Sequence, residues 1–186
     1  MIGNDIIDLR LSLSEKKSEN QRFMAKVFTD EEKGFIRASD DPETILWLLW
    51  SMKEAAYKAH QRNYGLPRTL NPQSFSCTVN PFENMGKVYT GSKNYNVEFE
   101  VNSDYIYSQT STQSTFHRIY SKVKPTKDQI LEEICASLDL ECPVFRLEKD
   151  SKGIPSLIGP NPKKKLPLSL SHHGNFTAFA IPLINS

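Results

Sequence analysis

The chain has 186 residues, with 23 Lys+Arg against 22 Asp+Glu for a net charge of +1. That length suits one large domain or two small ones with a real hydrophobic core, and near neutrality excludes a globally basic binder of nucleic acid or membrane, so any anion site must be local. The apolar set makes up 38% of the residues and the aromatics 10%, a globular composition on the polar side that argues against disorder. Cys77, Cys135 and Cys142 form no CxxC pair, which excludes a disulfide framework and a thiolate metal knot and predicts reduced thiols in a cytoplasmic protein. The opening residues carry Asp5 and Asp8 and no basic segment, so no secretory signal is expected. The longest apolar run, Ile45 to Trp50, is far short of a membrane span.

Ile2 to Leu9 predicts a short strand built on Ile2, Ile6, Ile7 and Leu9 and interrupted by Asp5 and Asp8. Ser12 to Arg37 is charged and helical in pattern, with a break at residues 28–30. Thr29 followed by Glu32 has capping-box spacing, so a helix is expected to start at Thr29. Asp41 as N-cap and Pro42 in the first turn open the strongest helix, expected to run to about Arg62. At ~100° per residue, Ile45, Leu48, Leu49, Met52, Ala55, Ala56 and Ala59 share the core-facing arc, and Trp47, Ser51, Glu54 and Lys58 lie opposite. Gly65 and Pro67 end that helix. From Thr69 to Lys124 the composition shifts to Ser, Thr, Asn, Tyr and Val, and alternation at 96–101 and 116–120 predicts half-exposed antiparallel strands. A helix is expected from Pro125 to about Leu138, then a hairpin from Val144 to Leu157 turning at 150–153. A Pro- and Lys-rich loop follows from Gly159 to Pro167, then strand, turn and strand from Leu168 to Leu183 around His173, Gly174 and Asn175. No sequence repeat is visible. The expected fold class is α+β, a mostly antiparallel sheet packed against a long helix.

Asp5 sits in an apolar strand, where its charge needs compensation. A turn-capping role and a cation-binding role are both open. Glu54 is either half of a solvated pair with Lys58, four residues on, or a second carboxylate sharing Mg²⁺ with Asp5. Mg²⁺ takes hard oxygen ligands and keeps waters and substrate phosphates, and Lys58 would then reach a phosphate oxygen. Ser169-Leu170-Ser171-His172 ends a strand at a turn, which is a plain surface strand or one that offers Ser171 and His172 as donors to an anion. Adjacent histidines suit zinc poorly, and no GxSxG elbow supports a serine hydrolase. Lys163–Lys165 reads as a solvated loop or as a contact for an anion or an acidic protein.

In this order, Gly3-Asn4-Asp5-Ile6-Ile7, Phe28-Thr29-Asp30-Glu31-Glu32, Trp50-Ser51-Met52-Lys53-Glu54-Ala55-Ala56-Tyr57-Lys58-Ala59, Gly153-Ile154-Pro155 and Ser169-Leu170-Ser171-His172 together resemble the 4′-phosphopantetheinyl transferases. The motif order is similar to that of the single-module holo-acyl-carrier-protein synthases. The resemblance covers about 1–62 and 145–183. It implies the fold of that family and a Mg²⁺-dependent transfer of phosphopantetheine from coenzyme A to a serine of an acyl carrier protein, with adenosine 3′,5′-bisphosphate as the other product. By this resemblance Asp5 and Glu54 hold Mg²⁺, Lys58 neutralises phosphate charge, and Glu32 deprotonates the attacking serine directly or through water. Ser171 and His172 match positions that contact coenzyme A phosphates in relatives. Ile7 stands where two-module relatives often carry a third acidic ligand, and Ile154 where many relatives have lysine, with Lys152 the nearby cation. Residues 64–125 match no part of the family pattern and are expected to form an inserted antiparallel region within a single domain spanning 1–186. The implied partners are a carrier protein and coenzyme A, without nucleic acid or membrane, in a trimer by analogy or in a monomer. The rival readings are a Mg²⁺-dependent phosphohydrolase using Asp5 and Glu54, and a non-catalytic module that grips an acidic carrier protein.

Overall fold

Strand β1 (Asn4–Asp8) forms where the isoleucines predict it, and all five of its residues are buried. The computed structural model that contains it describes every residue except 112–113, 123, 162, 164 and 184–186. The charged stretch that follows breaks into short helices, α1 (Leu9–Ser12), α2 (Gln21–Val27) and α3 (Asp30–Arg37), joined in part by 3₁₀ turns. The break before α3 is set by the expected capping box: Glu32 N donates to Thr29 Oγ1 at 3.2 Å, and Thr29 N donates to Glu32 Oε2 at 2.9 Å. Helix α4 (Pro42–Tyr64) opens with Thr44 N donating to the Asp41 carboxylate at 3.1 Å. It ends at Gly65, whose φ of +59° suits a residue without a Cβ.

A meander of β2 (Ser76–Asn80), β3 (Met85–Thr90), β4 (Lys93–Val101) and β5 (Tyr105–Thr110) returns to the first strand. The resulting sheet has the order β1-β5-β4-β3-β2 and is antiparallel throughout, with Asp5 opposite Ser108. Then come β6 (Thr115–Ser121), α5 (Lys127–Ser137), β7 (Arg146–Lys149), β8 (Pro155–Ile158), β9 (Lys165–Pro167), β10 (Ser169–His173) and β11 (Phe176–Pro182). These strands make two further antiparallel sheets, β10-β11-β6 and β7-β8-β9. The architecture is α+β with antiparallel sheets, as expected. Among the described residues, no helix is long and apolar enough to cross a membrane.

The run expected as a loop from Gly159 to Pro167 ends in a strand instead. Leu166 of β9 pairs with Leu157 of β8, and both join the core of the second half with Ile134, Leu168 and Phe179. A tertiary apolar contact thus overrides the Pro- and Lys-rich composition. The two halves also repeat one plan, which no sequence repeat announces. Each begins with a strand, passes through helix and antiparallel strands, and closes its last strand on its first: β5 on β1, β11 on β6. The stretch from 64 to 125 contributes to both closures through β5 and β6.

Helix α4 lies across β1, β5 and β4. Its predicted apolar arc is buried, with Leu49, Met52, Ala55, Ala56 and Ala59 at 1% exposure or less. The opposite arc differs from the simple amphipathic expectation: Trp47 is 6% exposed and Ser51 is 0% exposed. The preceding helices and turns cover it, and the Trp47 indole N–H donates to Ser12 O at 3.2 Å. A helix buried nearly all round sits inside its domain rather than on the surface. Close approach of β1 to α4 depends on Gly3. A methyl there would overlap the Ala55 carbonyl oxygen and stand 2.7 Å from Ala59 N. Gly3→Ala is therefore expected to cost about 3 kcal/mol of stability, because the obstacle is backbone. That loss lowers Tm by roughly 6–12 °C in a chain of this size, measurable by thermal unfolding.

Candidate active site

Glu54, Lys58 and Arg62 recur every four residues along α4 and form a row on one face. Strand β1 crosses that row. Lys58 Nζ donates to Asp5 Oδ1 at 2.9 Å and to Asn4 O at 2.9 Å. The carboxylate partner of Lys58 is thus Asp5 of β1, not Glu54 one turn back, and the ion pair is largely buried, with side chains 24% and 11% exposed.

Burial pushes the Asp5 carboxyl above the usual carboxylate range, and the Lys58 ammonium acts against it. Asp5 Oδ2 is buried and has no hydrogen-bond partner among the described residues. Glu54 is pushed up to about 7, first by burial and then by the Asp5 charge, with Lys58 and Arg68 opposing. Two carboxylates against one close ammonium leave this group short of positive charge. A hard divalent cation fits that deficit: it would take the unpartnered Asp5 oxygen and Glu54 and complete its shell with waters and substrate oxygens. Among the described residues, no three His, Cys, Asp or Glu side chains gather as a metal cluster, so the protein's share of such a site is these two carboxylates.

A cavity of about 130 Å³ opens against the same face of α4. Glu54, Tyr57, Lys58, Gln61 and Arg62 form one wall; Gly153, Ile154, Pro155, Ser169 and Leu170 form the other, with Arg68 and Lys149 also lining it. Lys58, Arg62, Arg68 and Lys149 give it a cationic lining that suits a polyanion. The far wall is fastened to the near one by hydrogen bonds. Arg62 donates from Nη1 to Pro155 O at 2.9 Å and from Nη2 to Leu168 O at 2.6 Å. Strand β10 lies beside β1, with Asn4 N donating to Ser169 Oγ and Asp8 N to His173 Nδ1, each at 2.9 Å. Asp8, the other acid interrupting the first strand, is structural: it accepts from Arg10 N at 3.1 Å and from Asn175 N at 2.9 Å, tying the β10–β11 turn to the start of α1.

Sequence reasoning singled out Asp5, Glu54 and Lys58, and these lie together. It passed over Arg62 and Arg68, whose signal was present as cations one turn after Lys58 and just past the helix end, and over Lys149, which only tertiary folding brings in. Lys152, considered as the cation near Ile154, donates instead to the Gly65 carbonyl. Glu32 is not among the cavity-lining residues. It is 3% exposed, and its Oε2 accepts from Lys53 Nζ at 2.7 Å and its Oε1 from Cys77 N at 2.7 Å. Lys53 is itself fully buried and also donates to Val27 O and Pro72 O, each at 3.0 Å. Ser171 is buried on the β1-facing side of β10 with Ser169 and His173, and its hydroxyl has no partner among the described residues. His172 is exposed on the other side of the strand. Of Lys163–Lys165, Lys164 lies outside the described residues, and Lys165 begins β9.

The profile of the 4′-phosphopantetheinyl transferase superfamily matches residues 1–112, which hold β1, α4 and their acid–lysine group. The chain belongs to the 4′-phosphopantetheinyl transferase superfamily. Transfer of phosphopantetheine is therefore its class of chemistry, and coenzyme A is the substrate that family uses. No curated protein matches the chain. The matched residues include the first 49 of the stretch 64–125, and they stop before β6 and the second cavity wall of this transferase.

The raised pKa of Glu54 has a consequence for stability. Its folded value of about 7 lies above the ordinary 4.5, so the folded chain holds the proton more tightly and loses stability as pH rises from about 4.5 to 7. Glu54→Gln removes that loss. The variant is expected to gain on the order of 2 kcal/mol over the parent at pH 8 and little at pH 4.5, read from urea unfolding at the two pH values.

Proposed function

We propose that this chain is a Mg²⁺-dependent transferase that moves 4′-phosphopantetheine from coenzyme A to a serine of an acyl carrier protein, leaving adenosine 3′,5′-bisphosphate. The observation that carries the reading is the pairing of a two-carboxylate group, buried Asp5 and half-buried Glu54, with a cationic cavity on one face of α4. In the reaction, serine Oγ bonds to the pantetheine-side phosphorus, the bridging P–O bond of the pyrophosphate breaks, and the serine proton passes to a base. Such a transfer needs charge neutralisation and in-line positioning more than covalent chemistry.

Asp5 and Glu54 would hold Mg²⁺, which would supply charge neutralisation at the pyrophosphate. Lys58, already placed between β1 and α4, carries its ammonium to a phosphate oxygen. Ser171 and His172 are proposed to contact coenzyme A phosphates from β10. For Glu32 we favour proton removal through a water. Three of its roughly four lone-pair sites are taken by Thr29, Lys53 and Cys77, which leaves one free on Oε1. Because both cavity walls belong to one chain, the reading needs no second copy, which favours a monomer over a trimer. We take residues 1–186 as one catalytic unit acting in the cytoplasm, with 64–125 woven into it.

Four measurements test this reading. Incubated with Mg²⁺, coenzyme A and apo carrier protein, the chain is expected to raise the carrier's intact mass by one phosphopantetheine; no gain across several carriers would refute the acceptor. Asp5→Ala and Glu54→Ala should each abolish the gain, and unchanged rates would remove both from the metal site. Mg²⁺ added alone at pH 6.5 should release protons in a weakly buffered solution, because the cation displaces the proton that Glu54 holds. Glu32→Gln is expected to lower kcat with little change in KM for coenzyme A, and to cost about 3 kcal/mol by leaving Lys53 without a buried counter-charge.

A further inference from the structure

Arg62 is a half-buried cation without a matching anion. It stands one turn beyond Lys58 and lines the same cavity. Both Nη groups are committed to main-chain carbonyls on the far wall, Pro155 O at 2.9 Å and Leu168 O at 2.6 Å. Its Nε is buried with no partner among the described residues. No carboxylate lies within ion-pair distance of it among those residues; Asp150 is the one acid whose charge reaches it. Burial pushes its pKa down to about 10, so it stays charged at neutral pH.

Carbonyl dipoles satisfy two of the five N–H donors and leave the net charge uncompensated. Drawing a guanidinium partly out of water with no counter-ion is unfavourable. A purely structural fastener between α4 and the far wall would serve as well with a neutral side chain. The planar fork does something a neutral group would not: two donors fix the spacing of two different segments, and the same ion presents a full charge to the space between them.

We propose that Arg62 is a ligand-binding residue of the cavity, which holds the Pro155 and Leu168 segments against α4 and whose charge is completed by a phosphate group of the bound ligand. The inference rests on the proposed function in taking coenzyme A as that ligand. The phosphate in question is either the pyrophosphate or the 3′-phosphate, and the chemistry of recognition is the same for both.

The test is calorimetric binding, with no acceptor protein present, of coenzyme A, dephospho-coenzyme A and inorganic pyrophosphate to the full chain and to Arg62→Met and Arg62→Lys. Loss of one charge-assisted contact predicts coenzyme A affinity about 10- to 100-fold weaker in Arg62→Met, with partial recovery in Arg62→Lys. If the defect persists with dephospho-coenzyme A the contact is to the pyrophosphate; if it vanishes the contact is to the 3′-phosphate. In the transfer assay KM for coenzyme A should rise while kcat stays within about threefold, the pattern of a group that binds ground and transition states alike. An Arg62→Met chain that unfolds at a lower temperature yet binds coenzyme A within twofold of the parent overturns the proposal, and so does a parent that binds none of the three. If Arg62→Met does not fold, Arg62→Lys carries the comparison, and parental affinity in that variant overturns the charge-and-fork argument. Arg62-dependent binding by a parent that modifies no carrier would leave this inference standing and remove the proposed function.

Discussion

The close seating of β1 on α4 is the constraint on which the rest of the site depends. It is possible because Gly3 has no side chain where the Ala55 carbonyl passes, and because Ala55, Ala56 and Ala59 keep the facing surface of the helix low. Carried along by that seating, the Asp5 carboxylate comes within 2.9 Å of Lys58. A strand one side chain further off would leave both charges to find other partners. The same strand is gripped from its other side by Ser169 and His173 of β10, so one short segment registers both halves of the molecule against the helix.

Electrostatics then divides the region into two poles. At one end buried Asp5 and half-buried Glu54 lie near each other with a single close ammonium, and the Glu54 pKa is pushed up to about 7. At the other, half-buried Arg62 faces carbonyl oxygens rather than a carboxylate. Neither pole is in its lowest-energy state when unliganded. A cation relieves the first and an anion the second, so a ligand carrying phosphates beside a metal ion would satisfy both at once. The net charge of +1 says nothing of this separation, because it sums over the whole surface.

A second buried pair, Glu32 with Lys53, ties the carboxylate that the resemblance assigns to proton removal into the architecture as well. Its capping-box partner Thr29 is three residues away and legible in sequence. Lys53 and Cys77 reach it only because α4 and β2 pack beside α3. The carboxylate thereby joins the start of one helix, the middle of another and the first strand of the meander. Its burial at 3% exposure limits any proton it moves to a water-sized path.

Local interactions were legible from the amino-acid order. The caps at Thr29, Asp41 and Gly65 involve neighbours in sequence, and α4 with its apolar arc follows from a helical period. Spacing puts Glu54 and Lys58 one turn apart and leaves open whether Asp5 joins them; the family resemblance is what groups the three. The antiparallel character of the later strands followed from alternation in the same way. What tertiary structure alone decided depends on contacts between residues far apart in sequence. It turned part of a Lys- and Pro-rich loop into β9, covered the polar arc of α4, repeated one strand plan in two halves of unlike sequence, and brought Lys149 and the Pro155–Leu168 wall opposite Arg62. Sequence periodicity records which face of an element is apolar; it carries no record of which distant element that face will meet, and the second wall of this cavity is made of such meetings.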